Sequence, residues 1–260
     1  MVDLRKKSGQ PKKSPARPSL NGSLEGQRVV IIGGTSGFGL ATAKAASVEG
    51  ASVIVASSKE ANVDRALAEL PAGAEGHVLD IIQESAVRDF FSTIGEFDHL
   101  TVTAGESLDL GDFATVDLEK ARRFFEIRFW GAVAAAKYAG KRIKSTGSII
   151  LTNGIIGLRP QKGWVIAAGI CGALEAVTRA LAIELAPVRV NLVCAGIVRT
   201  ELWRNMTEHD RNGLFEKAGQ ALPVGRVGEP EDLAETYLYL LRERFSTGAM
   251  IVADGGSTLV

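Results

Sequence analysis

The segment VVIIGGTSGFGLATAKAA, residues 29–46, joins an apolar run, a glycine-rich turn and a run of helical period. Glycine at Gly33, Gly37 and Gly39 lets backbone N–H groups approach a ligand closely. The N-terminus of the following helix adds partial positive charge, which favours a phosphate group. A strand, this turn and a helix are the context that a dinucleotide loop requires, so the segment predicts a pyrophosphate site. The alternative is a turn whose glycines serve packing alone.

Similar apolar runs recur along the chain and alternate with segments of helical period. They are RVVIIG, ASVIVAS, GHVLD, HLTVTAG, SIILTNG, VRVNLVCAG and AMIVADGG. Continuous apolar runs are typical of parallel strands that are buried on both faces. We therefore predict an α/β fold, with one Rossmann-like domain built on a doubly wound sheet of seven parallel strands.

Composition limits the classes of partner. A chain of 260 residues with 46% hydrophobic residues can bury the core of one such domain. Its 30 basic and 30 acidic residues give zero formal charge, so we expect a small-molecule substrate and no nucleic acid. The two cysteines lie in apolar surroundings, and the sequence has no secretory or membrane-spanning run. We therefore predict a cytoplasmic protein that does not bind a membrane. The three histidines match no metal-binding spacing, so no metal is predicted.

Two segments depart from the alternation of strands and helices. Residues 1–24 carry six Lys or Arg and one Asp, and they predict a disordered basic tail that precedes a folded domain at 25–260. A targeting or anion-binding role for this tail is the alternative. Residues 197 to about 224 form a polar helical insert after the sixth strand, where a lid over a cleft is expected.

The end of the second strand indicates which dinucleotide binds. NAD enzymes place an acidic residue there to hold the ribose 2′-hydroxyl. Here the strand ends in Ser57, Ser58 and Lys59, which offer no carboxylate to repel a 2′-phosphate and one lysine to pair with it. The pattern predicts NADP(H), although Lys59 is equally compatible with an ordinary exposed loop.

These motifs resemble the short-chain dehydrogenase/reductase family, from about Gly26 to the C-terminus. The glycine spacing, VRVNLVCAGIVRTEL and LPVGRVGEPEDLAETYLYLL carry the resemblance. It implies the sheet order 3-2-1-4-5-6-7, a cofactor across the topological switch point and a homodimer or homotetramer. The cofactor contacts that the loop and the resemblance imply are Gly33, Thr35, Ser36, Gly37, Phe38, Gly39, Ser57, Ser58, Lys59, Asp80, Ala104, Gly105, Gly196, Val198 and Thr200.

The resemblance fails at the family's active site, which is a set of Asn, Ser, Tyr and Lys. In the family, Tyr donates the proton, Lys lowers its pKa, Ser binds the substrate oxygen and Asn orders a water. Alignment of the flanking motifs puts Arg128 at the Asn position and Gly154 at the Ser position, with Ala167 and Cys171 at the Tyr and Lys positions. The acid/base step, commonly worth ~10²- to 10⁴-fold, therefore has no known agent.

Three functions are compatible with such a site. The first is an NADPH-dependent reductase of an iminium ion or another activated acceptor, because an iminium ion that receives hydride becomes a neutral amine without a proton donor. Divergent family members known from alkaloid pathways also lack the tetrad, and the arginine makes this chain resemble them. The second is a non-redox scaffold or sensor that binds NADP(H). The third is a cyclase or isomerase that templates its substrate in the same pocket.

Arg128 and Trp164 are the candidate catalytic residues. The guanidinium of Arg128 can hold an oxyanion but is a poor proton donor, and Trp164 can wall the pocket or stack against a flat substrate. Binding of the cofactor or of a structural carboxylate is the alternative for Arg128, and packing under the lid is the alternative for Trp164. We expect Cys171 to be a buried spacer. The predicted substrate pocket is completed by Asn153, Gly154 and Ala167.

Overall fold

The computed structural model describes residues 23–106 and 111–260. The predicted tail at residues 1–22 lies outside the described residues. Leu24, which the sequence analysis placed in the tail, is fully buried against Val29 and Val53. This single apolar side chain packs at the start of the described chain, and the domain boundary after residue 24 stays a prediction.

Strands and helices alternate along the described chain. The strands are β1 Arg28–Ile32, β2 Ser52–Ser57, β3 Glu75–Val78, β4 Phe97–Val102, β5 Ile143–Gly154, β6 Arg189–Ala195 and β7 Met250–Ala253. The helices are α1 Gly37–Val48, α2 Glu60–Glu69, α3 Glu84–Thr93, α4 Leu118–Phe125, α5 Gly131–Ala139, α6 Val165–Glu184, α7 Glu208–Ala221 and α8 Pro230–Arg242. Short 3₁₀ turns lie at Phe113–Thr115, Ile155–Gly157 and Glu201–Trp203, and a π-helical turn at Glu126–Trp130 joins α4 to α5.

All seven strands form one parallel sheet in the order β3-β2-β1-β4-β5-β6-β7, so the predicted fold is confirmed. Strand β1 pairs with β2 on one side and β4 on the other, which makes its carboxyl end the switch point. One hydrophobic cluster covers each face of the sheet. This double coverage explains why the strands are continuously apolar.

Helix α6 has 20 residues and a mean hydropathy of 1.6, which by length and composition alone is enough to cross a membrane. It packs on β5 and β6 and turns Ile170, Leu174 and Thr178 into the core. The core helix of a doubly wound sheet meets the same criteria, so this hydropathy is weak evidence for a membrane.

The insert at residues 197–224 contains the turn Glu201–Trp203 and helix α7. It has a small hydrophobic cluster of its own, in which Trp203 and Phe215 pack edge-to-face with ring centroids 6.3 Å apart. The insert reaches the carboxyl edge of the sheet through Thr200 and Leu202, which line cavities there. Its action as a lid stays a prediction.

Candidate active site

Two cavities open at the carboxyl edge of the sheet. The large cavity has a volume of about 410 Å³ and the small cavity about 150 Å³. Phe38, Arg128, Thr200 and Leu202 line both cavities. The two spaces therefore meet at these four side chains.

The large cavity collects most of the predicted cofactor contacts. Those that line it are Gly33, Thr35, Ser36, Gly37, Phe38, Gly39, Ser57, Ser58, Lys59, Asp80, Ala104, Gly105 and Thr200. Gly196 and Val198 line the small cavity instead. Four strand ends contribute to the large cavity because the carboxyl ends of parallel strands meet at one edge of the sheet.

The glycines of the loop have different roles. A Cβ on Gly39 would lie 2.3 Å from the carbonyl oxygen of Gly33, and a Cβ on Gly33 would lie 2.5 Å from the amide nitrogen of Ala104. These two glycines are required by the packing of the protein itself. Gly37 has φ +51°, lines the large cavity, and in the described part of the chain its Cβ would meet only Thr200, at 3.2 Å. The packing alternative therefore explains Gly33 and Gly39 but not Gly37.

The start of α1 suits a phosphate. Ser36 precedes the helix but makes no side-chain hydrogen bond to its first turn, and no acidic residue stands in that turn. The free N–H groups of the first turn, together with the helix dipole, are an anion-binding arrangement. Asp80, which also lines the large cavity, accepts a hydrogen bond from the Ile82 N–H at 3.2 Å. The residues present thus fit a dinucleotide with its pyrophosphate at α1.

The small cavity contains every residue that was predicted for catalysis or the substrate. Arg128, Trp164, Asn153, Gly154 and Ala167 all line it. Most of the remaining lining is apolar and includes Phe124, Ile155, Ile156, Ile170, Leu174, Ile197 and Trp203. Its described lining contains two guanidinium groups, of Arg128 and Arg159, and no carboxylate.

Arg128 projects from the π-helical turn, a feature often found at functional positions. Its Nη2 donates to the Glu106 carbonyl oxygen at 2.6 Å, and its Cζ lies 4.7 Å from the centroid of the Phe124 ring. A Cβ on Gly105 would lie 2.6 Å from that Cζ, so the glycine makes room for the guanidinium. Burial lowers the pKa of Arg128 from its ordinary value.

The charge of Arg128 is not matched by an ion pair within the described residues. Its direct polar contact is a backbone carbonyl, and its Nε is buried without a hydrogen-bond partner there. Among the described residues, Arg128 therefore does not pair with a structural carboxylate, which was the alternative to a role in the active site. A buried guanidinium at the junction of two cavities is suited to receive an oxygen with negative charge.

Cys171 and Asn153 form the floor of the small cavity. Cys171 is buried, its Sγ accepts from the Gly154 N–H at 3.5 Å, and burial raises the pKa of its thiol. A neutral buried thiol fits the expected spacer better than a nucleophile. Asn153 donates from Nδ2 to the Cys171 carbonyl oxygen at 3.3 Å, while its Oδ1 finds no partner among the described residues.

Several lining residues were not predicted. Trp203 lines the small cavity together with Trp164, which packs against the same hydrophobic cluster, and the Trp203 Nε1–H donates to the Val198 carbonyl oxygen at 2.9 Å. Its position depends on how the insert folds, which no local pattern indicates. Asn62 lines the large cavity one helical turn after Lys59, and that spacing was a usable signal. Arg123 and Arg204 also line it, on separate elements.

Comparison with known proteins gives consistent matches. A family model described as enoyl-(acyl carrier protein) reductase matches residues 33–258. The short-chain dehydrogenase/reductase ATR9 of Stachybotrys chlorohalonatus is 36% identical, over 91% of this chain and 99% of its own. A crystal structure of a small-chain dehydrogenase in complex with NADPH is 38% identical with a TM-score of 0.81, over 90% of this chain and 99% of that chain. The MalC reductase/Diels-Alderase from Malbranchea aurantiaca is 28% identical with a TM-score of 0.85, over 92% and 99%.

Proposed function

The chain belongs to the short-chain dehydrogenase/reductase family, and we propose that it is an NADPH-dependent reductase that acts without the family's Tyr–Lys pair. The observation that carries this proposal is the junction of the two cavities at Arg128. One cavity keeps the dinucleotide loop, and the other is an apolar space with a buried cation at its entrance. A protein that only bound the adenosine phosphates would have little use for the second space.

We assign NADP(H) to the large cavity. The N-terminus of α1 would hold the pyrophosphate, and Ser57, Ser58 and Lys59 would surround the 2′-phosphate. The related structure with 38% identity holds NADPH, which supports this choice. When bound, NADPH supplies a hydride, and the residues of the small cavity hold the compound that receives it.

The charges around the small cavity favour one kind of acceptor. A free iminium cation would be repelled by the buried Arg128, because like charges interact strongly where water is scarce, whereas the charge of the exposed Arg159 is screened by solvent. A neutral carbonyl or conjugated carbonyl fits better, since its oxygen gains negative charge as its carbon receives hydride. Arg128 would donate to that oxygen. We therefore place a neutral polarised acceptor first, and the iminium acceptor stays a prediction.

The protonation of the product follows from the replaced positions. Ala167, at the family's Tyr position, has no acidic proton to donate. Burial raises the pKa of the Cys171 thiol, so this thiol is a weak acid. We infer that Arg128 compensates the charge of the nascent oxyanion and that water delivers the proton. This route suits an enolate, whose charge is already delocalised, better than a localised alkoxide.

A second function is supported by one relative. MalC is described as both a reductase and a Diels-Alderase, and this chain has a TM-score of 0.85 to it. The walls formed by Trp164 and Trp203 would similarly allow a reduced intermediate to be held for cyclisation. Product that forms without NADPH oxidation would identify cyclisation alone.

The experiment that tests the proposed function is a titration of the purified protein with NADPH and NADH, followed by nicotinamide fluorescence. Single-turnover mixing with a panel of enones, aldehydes, ketones and imines would come next. Oxidation of bound NADPH by any acceptor supports the reductase, and the ranking of enones against imines tests the charge argument. Tight binding without oxidation across the panel would favour the scaffold or the cyclase.

We also propose that the protein forms a homodimer or homotetramer. Trp130 between α4 and α5 is 54% exposed, and Ile183 on the outer face of α6 is 81% exposed. Most alanines of α5 (Ala132, Ala135, Ala136 and Ala139) are buried in the core of the protein itself, so the exposed apolar side chains are what this face offers to a symmetry mate. Light scattering on the native protein and on Trp130→Glu would test this, because the charge should dissociate an assembly that uses this face.

A further inference from the structure

The small cavity borders two polar atoms with complementary hydrogen-bonding needs. Asn153 Oδ1, an acceptor, and Arg128 Nε, a donor, are both buried and have no partner among the described residues. A buried polar atom without a partner is costly, and each such atom in a folded protein needs a physical explanation. Both residues line the small cavity, so a bound molecule can supply what each atom lacks.

The amide of Asn153 has only one sensible orientation. Its side chain is buried at 7% exposure, and its Nδ2 donates to the Cys171 carbonyl oxygen at 3.3 Å. If the amide were reversed, Oδ1 would face that carbonyl and two acceptors would oppose each other. The free atom is therefore the oxygen, which accepts a hydrogen bond and cannot donate one.

The strand beside Asn153 leaves room for a ligand. Among the described residues, a Cβ on Gly154 would meet only the Ala195 carbonyl oxygen, at 3.7 Å, which is ordinary contact. Ala167, on the facing helix α6, has a short side chain and also lines the cavity. Gly154 and Ala167, at the positions where the family carries Ser and Tyr, thus leave space through which a substrate group can approach Asn153.

We propose that Asn153 determines specificity by accepting a hydrogen bond from an N–H or O–H group of the substrate, while Arg128 Nε donates to an adjacent carbonyl oxygen. This inference rests on the proposed function, because it takes the small cavity as the substrate site. The substrate class is a mostly apolar compound with a donor beside a carbonyl, as in a lactam or an enolised dicarbonyl. A lactone or an N-alkylated lactam would leave Asn153 Oδ1 unpaired.

The test uses two bicyclic probes of the same shape. In 2-quinolone an N–H stands beside the carbonyl, and in coumarin a ring oxygen takes its place. Calorimetric titration of the full chain loaded with NADP⁺ should show 2-quinolone binding about tenfold more tightly or better, because a site built for a donor rejects an analogue without it. Asn153→Leu should reduce this ratio to about one without weakening coumarin, by the same argument. Gln220→Leu removes an exposed amide on α7 that lines neither cavity, and it should leave the ratio unchanged.

Equal affinity of the native protein for the two probes, or no binding of either to the NADP⁺-loaded chain, would overturn the assignment of Asn153. This ratio is measured on the native chain, so it decides the matter even if Asn153→Leu does not fold. A protein that fails to bind NADP⁺ or NADPH would instead refute the proposed function. The two failures are distinguished by the cofactor titration that precedes the probe titration.

Discussion

The large and small cavities share one edge of the sheet but are built in different ways. The large cavity depends on backbone geometry: the positive φ of Gly37, the close packing of Gly33 with Gly39 and the free N–H groups of α1. The small cavity depends on side chains from separate elements, such as Arg128 and Trp164. The cofactor cavity and the substrate cavity can therefore change independently on this fold. Replacing the side chains of the small cavity leaves the backbone geometry of the large cavity in place.

Arg128 belongs to both cavities, because its side chain lines each of them. Its guanidinium is held by the Glu106 carbonyl and needs the space that Gly105 leaves. A substitution of Arg128 is expected to reduce turnover of the acceptor more than affinity for the cofactor, because the N–H groups that would bind the pyrophosphate belong to the start of α1.

The first prediction concerns the large cavity alone. Gly37→Val should abolish saturable NADPH binding, at least ~100-fold in Kd, because the side chain is strained at φ +51° and occupies space beside Thr200. Fluorescence titration measures the loss. Gly73→Val is the matched control, since Gly73 has φ +101° but its Cβ would have no described atom within 4 Å. If Gly37→Val binds NADPH like the native protein, the loop is not the pyrophosphate site.

The second prediction isolates the small cavity. Arg128→Ala should leave NADPH affinity within a few-fold but reduce kcat/KM about 10²- to 10³-fold, as for loss of an oxyanion donor. Steady-state kinetics with the best acceptor of the panel measures this. Arg122→Ala, which removes an exposed arginine paired with Glu119 on α4, is the control. Full activity of Arg128→Ala would remove the residue from the mechanism.

Gly105→Ala provides a companion test of the same geometry. Its Cβ would lie 2.6 Å from Arg128 Cζ, so the guanidinium must move and activity should fall. In the Arg128→Ala background the same substitution should have little further effect, because residues in contact are not additive. Additive losses in the double variant would show that Gly105 acts independently of Arg128.

The sequence was sufficient for the fold because the relevant signals are local. Seven apolar runs indicate buried parallel strands, and the loop from Gly33 to Gly39 lies within one strand–turn–helix unit. The same locality explains why residues of the large cavity could be named in advance. The sequence did not indicate the burial of Leu24, since one apolar residue in a polar segment has no periodic pattern.

The small cavity was harder to predict for a physical reason. Its residues come together only through tertiary packing, so an alignment to the family identified Arg128 and Ala167 but not their contacts. The position of Trp203 depends on the fold of the insert, and the unpaired Asn153 Oδ1 depends on the direction of one amide. The family resemblance also suggested an iminium acceptor without showing that a buried guanidinium, that of Arg128, would stand beside it.

The third prediction tests the scaffold that both cavities share. His99 in β4 is buried between Ser148 Oγ at 2.9 Å and Gln27 Oε1 at 2.6 Å, and burial, with a smaller effect of Arg189, lowers its pKa to about 4. The folded state therefore favours the neutral ring. Its contribution to stability, of the order of 3 kcal/mol, is complete above pH ~6.5 and is lost as the pH falls towards ~4.

Denaturant unfolding across that pH range measures this effect. His99→Gln should make the free energy of unfolding less dependent on pH, whereas His77→Gln, at a partly exposed position on β3, should not. NADPH binding and turnover should fail together in acid, because the lost stability belongs to the sheet beneath both cavities. An unchanged pH profile in His99→Gln would assign acid unfolding to other groups.

The smallest expected effect concerns the choice between dinucleotides. Lys59 lies directly before α2 and lines the large cavity, where its ammonium can pair with a 2′-phosphate. Lys59→Ala should weaken NADPH binding about tenfold and leave NADH affinity unchanged, since an exposed charge pair contributes modestly. Raising the salt concentration should also reduce the preference of the native protein for NADPH over NADH, because screening weakens exposed charge pairs. Lys44→Ala, which breaks an exposed pair with Glu69 outside the cavity, is the control. Equal weakening of NADPH and NADH by Lys59→Ala would mean that the lysine shapes the loop without reading the phosphate.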